Sequence, residues 1–194
     1  NISYVDFSKY FGKYEGSFVL YDLGNDAWSI HDIEHATLRV APDSTYKIYD
    51  ALFGLEEGVI TPEDSFIAWN GESYPFEAWN ADQTLQSAMT SSVNWYFQSI
   101  DEQLASTNIY NYIQQIGYGN ENVSGDLSTY WLESSLKISP VEQVELLMKL
   151  QNNSLGFSSE NINAVKDSIC LSSSNTGKFY GKTGTGRVGG QDVN

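Results

Sequence analysis

The sequence predicts an α+β fold, with strands near both chain ends and helices between them. Three observations carry this. Ser17–Asp22 (SFVLYD) and Ala27–Asp32 (AWSIHD) flank Gly24-Asn25, a hairpin signal. From Pro42 to about residue 172 apolar residues recur at helical spacing. Lys178–Gly184 (KFYGKTG) then reads as a strand.

The elements follow in order. The first forty residues read as sheet, and Thr37–Val40 offers a further short strand. After Pro42, Ile48, Ala51, Leu52 and Leu55 share one helical face, and Gly58 is placed to end that helix. Leu85, Ala88, Met89, Val93, Phe97, Ile100 and Leu104 predict one long helix over 84–104. Further helices are expected at about 107–116, 139–151 and 159–171. The second of these opens on Ser139-Pro140-Val141-Glu142, a capping box with proline at the first helical position. The expected layout is one domain over 1–194, its sheet part about 1–41 and 176–194 and its helical part about 42–172. Ten residues follow Gly184, too few and too glycine-rich to supply neighbouring strands, so the natural chain is expected to continue and the domain to lack its C-terminal strands.

A chain of 194 residues with 41% hydrophobic residues can bury one substantial core. The formal net charge of -15 argues against a nucleic-acid partner, whose phosphates it would repel, and equally against a basic membrane-docking face. Cys170 is the only cysteine, so no internal disulfide forms. No apolar run reaches the ~18 residues of a membrane helix, and no signal-peptide pattern opens the chain.

Three short motifs carry chemistry. Ser44-Thr45-Tyr46-Lys47 fits S-x-x-K. At a helix start, residues three apart share a face, so the Lys47 amine reaches the Ser44 hydroxyl and the helix N-terminus favours negative charge there. A hydroxyl needs such a base to become a nucleophile, and lysine serves only once its proton is removed, through burial or covalent change. Ser134-Ser135-Leu136-Lys137 fits too, but Lys137 precedes the Ser139 cap and lies outside the helix. Taken alone, a helix-start serine with a surface lysine explains Ser44 equally well. Ser92-Val93-Asn94 fits S-x-N, as do segments starting at Ser106, Ser159 and Ser173. Asn94 is singled out because it sits inside the long helical run, where a polar residue needs solvent or a partner. Lys182-Thr183-Gly184, on its strand, could hold a substrate carboxylate, with glycine allowing close backbone approach.

In this order the three motifs resemble the signature of penicillin-recognising serine enzymes. The resemblance narrows to the class D branch, which holds OXA-type β-lactamases and the sensor domains of BlaR/MecR transducers. It rests on Tyr118-Gly119-Asn120, on Tyr130-Trp131-Leu132-Glu133 and on Leu136-Lys137-Ile138-Ser139. Ser44-Thr45-Tyr46-Lys47, Ala78-Trp79-Asn80 and Ser92 to Phe97 look more like BlaR, with MecR next.

The resemblance implies a penicillin-binding, class D-type fold, a mixed sheet packed against a helical lobe with the site between. It implies that Ser44 attacks a lactam carbonyl and that Lys47, carboxylated by carbon dioxide, takes the proton. Trp131 would steady that carbamate through its indole N–H, and Ser92 would relay protons. Lys182 and Thr183 would bind the antibiotic, with Gly184 beside them. The backbone amides of Ser44 and Thr185 would form the oxyanion hole. Tyr118, Gly119 and Asn120 would be supporting structure. Asn94 departs from the apolar residue usual in the lactamases, which puts turnover in doubt.

The implied function is an extracellular sensor of β-lactams, penicillins and cephalosporins, on the outer face of a bacterial membrane. It would be acylated persistently to trigger resistance, and reach the membrane only through the rest of its parent chain. A class D β-lactamase is the alternative, then a transpeptidase, then a non-catalytic fold with a dead site.

Other candidates fall away. A phosphate loop ending at Gly181-Lys182-Thr183 would need glycine where Thr176 stands. His31 and His35 do not converge from a strand end and a turn, so no metal site is expected. Trp95-Tyr96-Phe97 is expected in the core, and Glu56-Glu57 at a solvated helix end.

Overall fold

The computed structural model describes residues 1–188 and 191–193. Gly189, Gly190 and Asn194 of the expected sheet part lie outside the described residues. Strand β1 (Ile2–Tyr4) and a short helix α1 (Ser8–Phe11) precede the hairpin β2 (Phe18–Asp22) and β3 (Ala27–His31). β3 is central, pairing antiparallel with β2 and parallel with β1, so the sheet is mixed. The first forty residues are therefore less uniformly sheet than expected. Residues 33–37 form helix α2 (Ile33–Thr37), capped by the Asp32 side chain accepting from the His35 amide. The strand expected at Thr37–Val40 is reduced to one bridge, Val40 to Ile138.

A tight 3-10 turn, Asp43–Tyr46, leads into α3 (Lys47–Glu56). Residues Lys47 to Leu55 are all buried. Gly54 lets α5 approach, since a Cβ there would meet the Ile100 side chain at 2.7 Å. Full burial of Leu52 and Phe53 stabilises this helix by about 1.5–3 kcal/mol each. Gly58, at φ +69°, ends it where the sequence placed the stop.

The long helix expected over 84–104 is two helices, α4 (Leu85–Thr90) and α5 (Asn94–Ile116). Ser92 takes the left-handed conformation at φ 52°. Its amide donates to the Met89 carbonyl at 3.3 Å and that of Val93 to Ala88 at 2.9 Å, the pairing of a Schellman stop. The apolar periodicity runs through the stop because Val93 and Phe97 remain buried on both sides of it. α5 kinks at Ala105, φ 62°, where the sequence had placed a boundary between two helices.

Helix α6 (Pro140–Gln151) has the predicted capping box, Ser139 and Glu142 bonding reciprocally. α7 (Ser159–Ser168) stops before the expected residue 171, because Cys170–Ser174 pairs as β4 with β5 (Gly177–Tyr180). Lys182 to Gly184 lies beyond β5 and has no ladder partner among the described residues, so the motif follows a strand rather than riding on one. Among the described residues, β6 (Gly186–Val188) and β7 (Gln191–Val193) pair only with each other. Strands thus occupy both chain ends, but in three separate sheets among the described residues. The architecture is α+β, with the core built around α3 and α5.

Candidate active site

The 3-10 turn presents Ser44 half-exposed at the mouth of the core, while Lys47, one turn on, is fully buried. Asp43 precedes Ser44 in a left-handed conformation, φ 46°, uncommon for a residue with a Cβ. It is held there by two bonds: its amide donates to the Trp131 carbonyl at 3.1 Å, and its carboxylate accepts from the Glu133 amide at 3.2 Å. Thr45 donates to the Pro42 carbonyl and accepts from Gln143 of α6. The turn is thus fixed from two sides.

Lys47 Nζ lies 2.6 Å from Ser44 Oγ, 3.2 Å from Ser92 Oγ and 2.6 Å from Asn94 Oδ1. Lys182 Nζ reaches the same Ser92 hydroxyl at 3.0 Å and the Thr183 carbonyl at 2.8 Å. All three predicted motifs therefore meet at Ser92. The Schellman stop is what turns Ser92 into the site, and it makes Asn94 the first residue of α5 rather than a mid-helix residue. Gly184 packs against the serine turn, where a Cβ would meet the Pro42 carbonyl and the Thr45 side chain at 3.0 Å. Thr183 and Thr185, on either side of Gly184, are exposed.

Burial lowers the Lys47 pKa from 10.5 to about 6, with the neighbouring Lys182 charge adding to the fall. Burial also lowers that of Lys182. At neutral pH Lys47 is then a neutral amine whose lone pair can take the Ser44 proton. Asp43 moves the other way, to about 6, because burial disfavours its charge.

Trp131 is buried, with Lys47 Nζ 4.9 Å from its ring centroid. Its indole N–H, which the resemblance gives to a Lys47 carbamate, donates to Asp101 Oδ2 at 2.9 Å beside the unmodified lysine.

Sequence reasoning missed Asp101, Asp50, Asp43 and Tyr130. Tyr130 Oη donates to Asp101 Oδ1 at 2.9 Å and shares a 2.6 Å bond with Tyr46 Oη. Asp50, on α3, and Asp101, on α5, are both fully buried and face each other. Burial and the neighbouring Asp101 charge push the Asp50 carboxyl well above the usual carboxylate range, so it stays protonated. A signal was available: Asp101 falls four residues after Phe97 and three before Leu104, on the apolar face of its helix.

The supporting role expected of Tyr118-Gly119-Asn120 has a visible basis. Gly119 has φ 52°, and a Cβ there would collide with the Lys137 carbonyl. Asn120 accepts from the Lys137 amide and donates to the Ser135 carbonyl, closing the loop that carries Trp131. Ser134 and Lys137, the second S-x-x-K, lie in that loop and not beside Ser44. An apolar groove of about 920 Å3 between α6, β2 and residues 180–185 is lined by Lys182 to Thr185 with Asp43 and Thr45, while Ser44, Lys47 and Ser92 do not line it.

The penicillin binding protein transpeptidase domain profile matches residues 23–194. This chain belongs to that family. It is 45% identical, over 98% of its length, to the Bacillus licheniformis regulatory protein BlaR1, but spans 32% of that protein. Its fold matches the C-terminal domain of the Bacillus licheniformis BlaR penicillin-receptor with a TM-score of 0.94 at 44% identity, covering 97% of this chain and 77% of that one. It also matches a class D β-lactamase from Bacillus subtilis, with a TM-score of 0.90 at 35% identity, covering 93% and 76%. The class D-type fold implied by the sequence is thus the fold observed. No helix among the described residues is long and apolar enough to cross a membrane.

Proposed function

We propose that this domain is a β-lactam sensor, acylated at Ser44 and slow to release the adduct. The observation that carries the reading is the continuous chain from Ser44 Oγ through Lys47 Nζ and Ser92 Oγ to Lys182 Nζ. Ser44 Oγ attacks the lactam carbonyl and gives its proton to the Lys47 amine. The proton passes through Ser92 to the lactam nitrogen as the C–N bond breaks, leaving an ester on Ser44. Lys182 and Thr183 hold the antibiotic's carboxylate, and the amides of Ser44 and Thr185 receive the carbonyl oxygen.

Release needs a base to activate water. The Asn94 amide, 2.6 Å from Lys47 Nζ, competes for the hydrogen bonds that a Lys47 carbamate would need, leaving no carbamate base for that step. A typical enzyme turns over at about 10 per second, whereas a receptor labelled for on the order of 10³–10⁴ seconds needs a deacylation barrier about 5–7 kcal/mol higher. Loss of positioned proton transfer supplies about 10²–10⁴ of that rate difference. The similarity to a regulatory protein supports a sensing role, with the domain on the outer face of a bacterial membrane as part of a longer chain. The β-lactamase likeness supports hydrolysis as the second reading.

Intact-mass analysis after adding penicillin tests the proposal. One antibiotic mass should appear, peptide mapping should place it on Ser44, and Ser44→Ala should abolish it. Labelling that survives the substitution overturns the assignment and points to Ser134.

A further inference from the structure

We propose that Asp101 is a positioning residue that sets how readily Lys47 takes up carbon dioxide, by holding the indole N–H of Trp131. The proposal rests on the acylation reading only in taking Lys47 as the base.

Asp101 is fully buried and accepts from Tyr130 Oη and Trp131 Nε1, each at 2.9 Å. Asp50 faces Asp101 from α3, its own oxygens without a hydrogen-bond partner among the described residues. The cluster ties α3, α5 and the 118–139 loop together directly behind Lys47. A purely structural clamp could use the same bonds. What separates the two roles is the identity of the donor held: the indole whose ring lies 4.9 Å from Lys47 Nζ.

Uptake of carbon dioxide converts the neutral amine into a carbamate. The nitrogen lone pair forms the N–C bond, one N–H proton leaves to solvent, and an anion with two acceptor oxygens is left in the core. Buried acceptors must find donors. Ser44 and Ser92 supply hydroxyls, and Asn94 can supply its NH₂ group if its amide turns. Trp131, whose ring lies 4.9 Å from Nζ, offers a further donor, and a carbamate that uses it must take it from Asp101. A bond to a charged group is worth enough that withholding it weakens carbon dioxide uptake by about tenfold or more. Asp101 thereby keeps Lys47 an amine, able to accept the Ser44 proton but a poor activator of water once Ser44 is acylated.

The test is carbon-13 NMR of the folded domain titrated with labelled bicarbonate, reading the carbamyl signal that Lys47→Ala removes. Asp101→Ala and Asp101→Ser should each lower the bicarbonate needed for half-occupancy about tenfold. In a Trp131→Phe background the effect should vanish. Equal half-occupancy in wild type and both Asp101 variants overturns the proposal. Should the variants not fold, the wild-type domain decides, with nitrogen-15 on the indoles. The Trp131 indole signal should move in step with the carbamyl signal, and a carbamate that saturates while that signal stays still overturns the proposal. Penicillin labelling of Ser44, measured by intact mass on the same samples, reports separately on the acylation reading.

Discussion

The site draws one lysine from each of two dissimilar regions. Lys47 comes from a helix buried on every side, held among Ser44, Ser92 and Asn94. Lys182 comes from the irregular, half-exposed stretch after β5, held by Ser92 and the carbonyl of its neighbour Thr183. Both touch the same hydroxyl, yet burial takes Lys47 to about 6. A lysine in the core loses its charge and becomes a base. Lys182 is lowered by burial as well, but it sits half-exposed at the rim, where its amine can face an anionic substrate.

Removing either lysine should show the difference. Lys47→Ala should slow acylation by penicillin by about 10²–10⁴, the usual worth of a positioned base. Stopped-flow labelling with a fluorescent penicillin measures it, and a loss below tenfold would break the comparison. Lys182→Ala should cost about 10–100-fold, as expected for a charge-assisted contact to a carboxylate. That loss should fall on binding and shrink with an antibiotic lacking the carboxylate.

The acylation rate should also fall as pH drops through about 6, since protonated Lys47 has no lone pair. The competent form is the amine, so activity is retained on the alkaline side. Asp43 titrates in the same window, raised by burial to about 6. Asp43→Asn should leave the inflection in place if Lys47 is the group that sets it.

How much of this was legible follows the same division. The S-x-x-K, S-x-N and K-T-G motifs could be picked from their decoys by position, because capping at Ser139 and the Gly58 stop are local signals. The break at Ser92 was not legible. A Schellman stop normally shows as glycine, and here a serine takes the left-handed position while the buried Met89, Val93 and Phe97 keep helical spacing across it. Helix α7 was overrun for a related reason, as the apolar Ile169 and Leu171 prolong the pattern into β4. Asp50 and Asp101 each show as an acid in an apolar stripe, but their pairing was not legible, because each one's partner lies on another helix. The hydrogen bond from Trp131 to Asp101 depends on how the loop closes, which no local spacing encodes.

The central claim is that Ser44 is acylated and then stays so. A chromogenic cephalosporin mixed with the unmodified domain should release one equivalent of product in a burst, with Ser44→Ala as the blank. Almost nothing should follow over hours, while intact mass holds at one adduct per chain. Steady turnover after the burst, with the free mass returning, would contradict the account and make the domain a hydrolase.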